Sequence, residues 1–189
     1  MTNILNVNVP AKLRERHKTG IEFLDKANAG GFVPSSLNMF TGSPGAGKTT
    51  LMLSAADSIT GLGNICLFNS LEMKDVQVKV YADRLKMKHG FELCALRLTK
   101  DLIKKGNQLM AKNPNKQLFV IIDSLPEMDC GQYKDGTINS KTPGRVVDML
   151  KTWCEETFAI VIMINHVTKG GQFVGKNSVK HAIDAHFDL

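Results

Sequence analysis

The sequence lacks the hydrophobic runs and cysteine patterns that define several large classes of protein. No stretch approaches the ~20 consecutive apolar residues that a membrane-spanning helix needs. The first six residues have no charged leader and no apolar region after them, so a cytoplasmic location is the expectation. The four cysteines are widely spaced and form no C-x-x-C pair, which predicts neither a zinc site nor a disulfide framework.

The sequence also lacks internal repeats and the length for two ordinary domains. With 189 residues and 43% hydrophobic content, it predicts one domain, residues 1–189, with one substantial core. The net charge of +6 favours a polyanionic partner, because Lys and Arg side chains neutralise phosphates. Charge alone does not identify a partner, since many basic proteins bind no nucleic acid.

Apolar strands and helices are predicted to alternate along the chain. The predicted strands are 36–41, 65–69, 95–98, 118–122 and 158–164, and the predicted helices are 48–59, 74–85, 101–111 and 145–156. In the helix 74–85, Val76, Val80 and Leu85 are spaced for one apolar face. This order predicts an α/β fold with a mostly parallel central sheet, helices on both faces and ligands at the carboxyl ends of the strands.

A glycine-rich loop lies between the first predicted strand and the first predicted helix. Its pattern, G-x-x-x-x-G-K-T, brings backbone amides close to phosphate oxygens at the positive end of the helix. Lys48 would reach the β- and γ-phosphates, Thr49 would offer its hydroxyl to magnesium, and Pro44 would stiffen the loop. An ordinary glycine turn is the alternative, which the flanking strand and helix disfavour. The predicted site for ATP and Mg²⁺ comprises Gly42, Ser43, Pro44, Gly45, Ala46, Gly47, Lys48, Thr49 and Thr50.

Three further polar residues follow predicted strands. Asp123 is placed to hold magnesium together with Thr49, although an aspartate there can also serve as a helix cap. Glu72 is the candidate catalytic base, the alternative being a carboxylate that stabilises a helix N-terminus. His166 is placed to sense the γ-phosphate, the alternative being a structural histidine. The candidate catalytic residues are therefore Glu72, Lys48 and His166.

Several segments together resemble one known family. They are Thr19-Gly20-Ile21-Glu22-Phe23-Leu24-Asp25, Gly30-Gly31-Phe32-Val33-Pro34-Ser35-Ser36-Leu37, Ser70-Leu71-Glu72-Met73, Ile122-Asp123-Ser124, His166-Val167-Thr168-Lys169-Gly170-Gly171 and His181-Ala182-Ile183-Asp184. With the glycine-rich loop, they resemble the RadA/Sms and DnaB-type branch of RecA-like P-loop ATPases over nearly the whole chain.

The resemblance implies a DNA-dependent ATPase that acts in recombination, repair or single-strand annealing. Such a core assembles into a ring or filament, binds single-stranded DNA through the loops 131–143 and 168–178, and hydrolyses ATP between subunits. Residues 1–18 are expected to contribute to assembly, and recombination or replication proteins are expected partners. The candidate DNA contacts are Lys134, Lys141, Arg145, Lys169 and Lys176, with Tyr133 and Phe173 as candidate stacking residues. Solvated, incidentally basic loops are the alternative.

The sequence departs from full-length RadA in several respects. The four-cysteine zinc module, the protease-like domain and the K-N-R-F-G motif are missing, and Lys169 or Lys176 is the candidate trans-acting finger. Compact cores of this kind are similar to phage annealing and recombination proteins, which implies the cytoplasm of a bacterial cell or of a phage-infected host. Two other functions remain open: a regulatory ATP switch similar to the clock protein KaiC, and a DnaB-like helicase motor.

Overall fold

The computed structural model describes residues 3–166, 179 and 181–189. The strands in these residues are β1 Leu37–Thr41, β2 Ile65–Ser70, β3 Glu92–Cys94, β4 Leu118–Asp123, β5 Ile160–Ile164 and β6 Ala185–Asp188. The α-helices are α1 Glu22–Ala27, α2 Lys48–Gly61, α3 Asp75–Arg84, α4 Thr99–Lys112 and α5 Thr142–Thr157. Short 3-10 turns occupy Ile4–Asn6, Ala11–Arg14 and Leu125–Glu127.

The six strands form one sheet in the order β3-β2-β4-β5-β1-β6, and every pairing is parallel. All residues of β1, β2, β4 and β5 are buried, which explains why these strands are nearly continuous apolar runs. The predicted α/β fold with a parallel sheet is confirmed. Because the strands are parallel, the carboxyl ends of β1, β2, β4 and β5 meet at one edge of the sheet. The glycine-rich loop, Glu72, Asp123 and His166 lie at this edge.

Helices cover both faces of the sheet. Successive strand residues point to opposite faces, so Val120 belongs to one core and Ile121 to the other. The Val120 face packs against α4 and α5, and the Ile121 face packs against α1, α2 and α3. Between α4 and α5, the Trp153 indole donates a hydrogen bond to Asn107 (2.8 Å) and lies flush against Gly106. Within the described part of the chain, no helix is long and apolar enough to cross a membrane.

The predicted apolar face of α3 is wrong at Val76 and Val80 and correct at Leu85. Val76 and Val80 are 76% and 62% exposed, whereas Val78 is 3% exposed and packs in the core. Tyr81 and Leu85 pack against the same core, so the inward face follows residues 78, 81 and 85. Both sets of positions have helical spacing, and only the contact with the sheet selects between them.

The edges of the sheet also differ from prediction. The strand predicted at 95–98 is wrong, because the backbone at Leu96 pairs with the side chain of Asn69 instead of a strand. Asn69 Nδ2 donates to Leu96 O (2.9 Å), and Asn69 Oδ1 accepts from Leu96 N (2.7 Å). At the other edge, the unpredicted strand β6 pairs with β1.

The start of α5 lies earlier than predicted. The helix begins at Thr142 and carries Pro143 in its first turn, a position that suits proline because the first amides have no helical partner. Arg145, the predicted first residue of this helix, therefore lies three residues inside it. Phe158, predicted to open a strand, ends α5 in a left-handed conformation, and β5 begins at Ile160.

Candidate active site

The glycine-rich loop connects β1 to α2. Gly47 precedes α2 in a left-handed conformation (φ 87°), and no side chain caps the first amides of this helix. Those amides are therefore available to an anion. Gly42 (φ 149°) allows a close approach, since a Cβ there would lie 2.4 Å from the carbonyl oxygen of Leu189. Leu189, which directly follows β6, thus packs against the loop.

Lys48 is the first residue of α2, directly after this loop, and it is buried, with 5% exposure. Its Nζ donates hydrogen bonds to the carbonyl oxygens of Gly42 (2.7 Å) and Ser43 (2.9 Å). Burial lowers the pKa of Lys48, and the negative charges of Asp123, Glu72 and Asp188 oppose that shift. The ammonium group is thus held against the backbone of the loop, with three carboxylates nearby.

Asp123 ends β4 and is 1% exposed. Its Oδ2 accepts a hydrogen bond from Thr49 Oγ1 (2.8 Å), while its buried Oδ1 has no hydrogen-bond partner. Burial raises the pKa of Asp123 to about 6, and the charge of Glu72 adds to the rise. An unpartnered buried carboxylate oxygen is costly, and a magnesium ion, which prefers oxygen ligands, would satisfy it. The donor pair Thr49 and Asp123 fits Mg²⁺.

Glu72 follows β2, in the loop beside the end of β4. Its Oε1 accepts a hydrogen bond from Ser124 Oγ and lies 2.8 Å from His166 Nε2. Burial would raise the pKa of Glu72, but the bonds from Ser124 and His166 and the charges of His166 and Lys48 lower it below its ordinary value. The structure thus brings together Glu72 and His166, which are 94 residues apart in sequence.

One cavity of about 350 Å³ joins most of these groups. Its lining residues are Pro44, Gly45, Gly47, Lys48, Thr49, Thr50, Glu72, Tyr81 and His166, and Asp123 adjoins it through its bond to Thr49. Of the remaining loop residues, Ser43 and Ala46 close a turn through a hydrogen bond from Ala46 N to Ser43 O (3.1 Å). Sequence reasoning missed Tyr81, because it belongs to no motif. Its spacing from Val78 is the one signal that would have placed it on the inward face of α3.

The described candidate DNA residues, Lys134, Lys141 and Arg145, do not line this cavity. Lys134 is exposed in the segment after β4, and Lys141 immediately precedes α5. Arg145 lies in the first turns of α5, where its Nη1 is buried without a hydrogen-bond partner. No ion pair involving these three side chains occurs within the described residues. Lys169, Lys176 and Phe173, with the predicted loop 168–178, lie outside the described residues.

The sequence is similar to a characterised family and to DNA repair proteins. Residues 24–172 match the family model described as an AAA domain. The chain is 31% identical to DNA repair protein RadA of Mycobacterium tuberculosis (strain CDC 1551 / Oshkosh) over 188 residues, covering 95% of this chain and 38% of that protein. It is 32% identical to DNA repair protein RadA of Brucella abortus (strain 2308) over 171 residues, which cover 88% of this chain and 36% of that protein. The chain therefore spans less than half the length of these curated relatives.

The fold is similar to that of solved ATPase and helicase structures. One solved ATPase domain superposes with a TM-score of 0.80 at 16% identity, covering 95% of this chain and 77% of that chain. A DnaB-like replicative helicase, solved in a study of its interactions with primase, superposes with a TM-score of 0.75 at 14% identity. The superposition covers 90% of this chain and 50% of that chain. The family match shows that this chain belongs to the AAA-domain family. Its sequence is similar to RadA, and its fold is the RecA-like P-loop fold found in DnaB-like ATPase domains.

Proposed function

We propose that this chain is a DNA-dependent ATPase of the RecA type that acts in recombination, repair or single-strand annealing. The observation that carries the ATPase is the convergence of Lys48, Thr49, Glu72 and His166 on one cavity, with Asp123 bonded to Thr49 at its border. The role in DNA metabolism is supported by similarity to proteins named DNA repair protein RadA.

ATP would bind with its phosphates at the uncapped start of α2. Lys48 would exchange its two backbone carbonyl partners for oxygens of the β- and γ-phosphates, which carry full negative charge and bind an ammonium group more strongly. Thr49 and Asp123 would hold Mg²⁺, which when bound neutralises phosphate charge. The orphaned Asp123 Oδ1 is the feature of this structure that most directly supports a cation.

Hydrolysis requires a base near the γ-phosphate. Glu72, whose pKa lies below its ordinary value, is an ionised carboxylate at neutral pH, and its Oε2, which makes no hydrogen bond among the described residues, can accept a proton from the attacking water. His166 Nε2 is a hydrogen-bond partner of Glu72 and lines the cavity, where it would sense the γ-phosphate. The pair would thereby couple ATP occupancy to the position of the base.

Tyr81 would pack against the nucleobase. Its side chain borders the same cavity as the phosphate loop, and a flat aromatic surface suits stacking on a purine. The guanidinium of Arg84 lies 4.4 Å from the centroid of the Tyr81 ring and would limit its movement.

Single-stranded DNA would bind the segment after β4 through Lys134, Lys141 and Arg145, with Lys169 and Lys176 as further candidates. A homo-oligomer would form the complete site, since the side chains of Glu72 and His166 are 37% and 33% exposed and a neighbouring subunit can cover them. We also propose that residues 1–189 form one domain. Residues 1–18 would contribute to assembly, which the exposure of Ile4 (78%) and Leu5 (88%) supports.

Measurement of ATP turnover with and without single-stranded DNA tests this function. We expect DNA to raise turnover and Lys48→Ala to abolish it. Turnover that is indifferent to DNA would contradict the recombination role and favour a regulatory ATP switch. A salt titration of DNA affinity separates the two further, because true phosphate contacts make affinity fall steeply with salt.

A helicase motor is the second candidate, favoured by the TM-score of 0.75 with a DnaB-like replicative helicase. Its test is the unwinding of a forked duplex by the assembled protein in the presence of ATP. Unwinding would assign this chain to the helicase motors, and annealing without unwinding would retain the recombination role.

A further inference from the structure

Ser124 is buried beside the candidate base and has no role in the function proposed above. It follows Asp123 directly and has 0% exposure. Its carbonyl oxygen accepts a hydrogen bond from Glu127 N (3.2 Å), in the 3-10 turn after β4. The backbone of Ser124 is therefore held between the end of β4 and this 3-10 turn, which fixes the position of its hydroxyl. Its Oγ donates a hydrogen bond to Oε1 of Glu72.

The two partners of Glu72 hold the same oxygen. Ser124 Oγ and His166 Nε2 both contact Oε1, and among the described residues Oε2 makes no hydrogen bond to the protein. The hydroxyl of Ser124 is buried, whereas the side chain of His166 is 33% exposed. The imidazole is therefore the partner with freedom to turn away.

We propose that Ser124 is a positioning residue, whose hydroxyl holds Oε1 of Glu72 and leaves Oε2 to accept the proton of the attacking water. This inference rests on the proposed function, in which Glu72 is the base and His166 senses the γ-phosphate. When Nε2 of His166 turns to the phosphate, Ser124 alone keeps the carboxylate in place. In the step itself, the water O–H bond breaks and its proton passes to Oε2. The water oxygen bonds to the γ-phosphorus, and ADP departs with the electron pair of the broken P–O bond.

Because Ser124 continues the chain from Asp123, the same strand end would place the magnesium ligand and orient the base. Leu71 N donates to Asp123 O (2.7 Å), which fixes the loop of Glu72 to this strand end through the backbone as well. The hydroxyl of Ser124 would then set the direction of the carboxylate within a loop whose position is already fixed.

Ser124→Ala tests the proposal through steady-state kinetics over a range of pH, with DNA present. We expect kcat to fall about tenfold, the cost of losing one hydrogen bond to a charged group, while KM for ATP stays unchanged. The acidic limb of the kcat profile should move to higher pH, because the lost donor stabilised the ionised carboxylate and its removal raises the pKa of Glu72. Ser124→Thr restores a hydroxyl and should recover most of the rate, with folding checked by thermal unfolding.

Ser36→Ala is the matched control, since Ser36 is a buried serine just before β1, at the far end of the strands, whose Oγ donates to Val33 O (2.6 Å). It should lower stability without moving the pH profile. Equal kcat and an unmoved acidic limb in Ser124→Ala, or no recovery in a folded Ser124→Thr, would overturn the positioning role. Glu72→Gln distinguishes an error in the role of Glu72 as base from an error in the role of Ser124. If Glu72→Gln still hydrolyses ATP, the base itself is misassigned; if it is inactive while Ser124→Ala is normal, only the role of Ser124 fails.

Discussion

At the scale of single residues, Asp123 lowers the stability of the folded protein at the proposed cation site. Its carboxylate is buried, one oxygen has no partner, and burial raises its pKa to about 6 from 3.8. A raised folded-state pKa means that the folded protein binds this proton more tightly than the unfolded chain. The resulting stability is fully present below the unfolded pKa and is lost as the pH rises through 6.

Asp123→Asn should therefore make the nucleotide-free protein more stable than the parent at pH 8. The difference should be on the order of 3 kcal/mol at most and should vanish near pH 4, where the parent carboxyl is protonated. Thermal unfolding at both pH values measures it. Asp101→Asn, an exposed substitution on α4, is the control and should show no such gain. A variant that is no more stable at pH 8 would contradict the strain assigned to the ionised carboxylate.

Glu72 allows a second prediction at the same scale. Glu72→Gln keeps the shape of the side chain but removes the proton-accepting carboxylate, so ATP should still bind while turnover falls about 10² to 10⁴-fold. Binding of a fluorescent ATP analogue and single-turnover hydrolysis measure the two effects separately. Glu127→Gln alters a glutamate outside the cavity, paired with Arg97, and should leave both unchanged. Loss of ATP binding in Glu72→Gln would instead assign Glu72 to the fold of the loop.

At the scale of elements, the contact between α4 and α5 depends on a missing side chain. Gly106 lies inside α4, where alanine ordinarily stabilises a helix by about 1 kcal/mol over glycine. Here a Cβ would lie 2.7 Å from the ring of Trp153. Gly106→Ala should thus destabilise the protein by about 1 to 3 kcal/mol, because the two helices must move apart. Denaturant unfolding measures the sign, and stabilisation would contradict the close packing.

The ends of elements also explain which local predictions succeeded. α2 and β4 were predicted within two residues, because a glycine loop, an apolar run and a terminal aspartate mark their limits. β6 could not be predicted, because its four residues become a strand only by pairing with β1. In α3, helical periodicity is compatible with two inward faces, one through Val76 and Val80 and one through Val78 and Tyr81. Periodicity alone cannot select between them.

At the scale of the whole molecule, the segment that carries Lys134 and Lys141 follows β4 at one edge of the sheet. The glycine-rich loop follows β1 at the same edge. Parallel strands place both there, since β1 and β4 end at that edge. We propose that DNA bound to this segment would influence hydrolysis through the end of β4, where Asp123 lies. A DNA-dependent ATPase requires such coupling, whereas a nucleotide switch that ignores DNA does not.

Replacing Lys134 and Lys141 together by Ala should weaken single-stranded DNA binding. Each lost phosphate contact should reduce the slope of log affinity against log salt by about 0.7. Lys26→Ala is the control, because Lys26 is paired with Glu22 on α1 (2.7 Å). Fluorescence anisotropy over a salt series measures both. An unchanged slope in the double variant would remove these lysines from the DNA contact.

By itself, the sequence determined the alternation of strands and helices. It also predicted the glycine-rich loop as a phosphate site, together with the polar residues of the cavity other than Tyr81. These follow from local chemistry: glycine at positions of positive φ, a lysine and threonine at a helix start, and polar residues at the ends of apolar strands. Only the tertiary structure decided that Tyr81 borders the cavity, that Leu189 packs against Gly42, and that Ser124 and His166 share one oxygen of Glu72. Those contacts join residues far apart in the chain, and their geometry depends on how strands and helices pack.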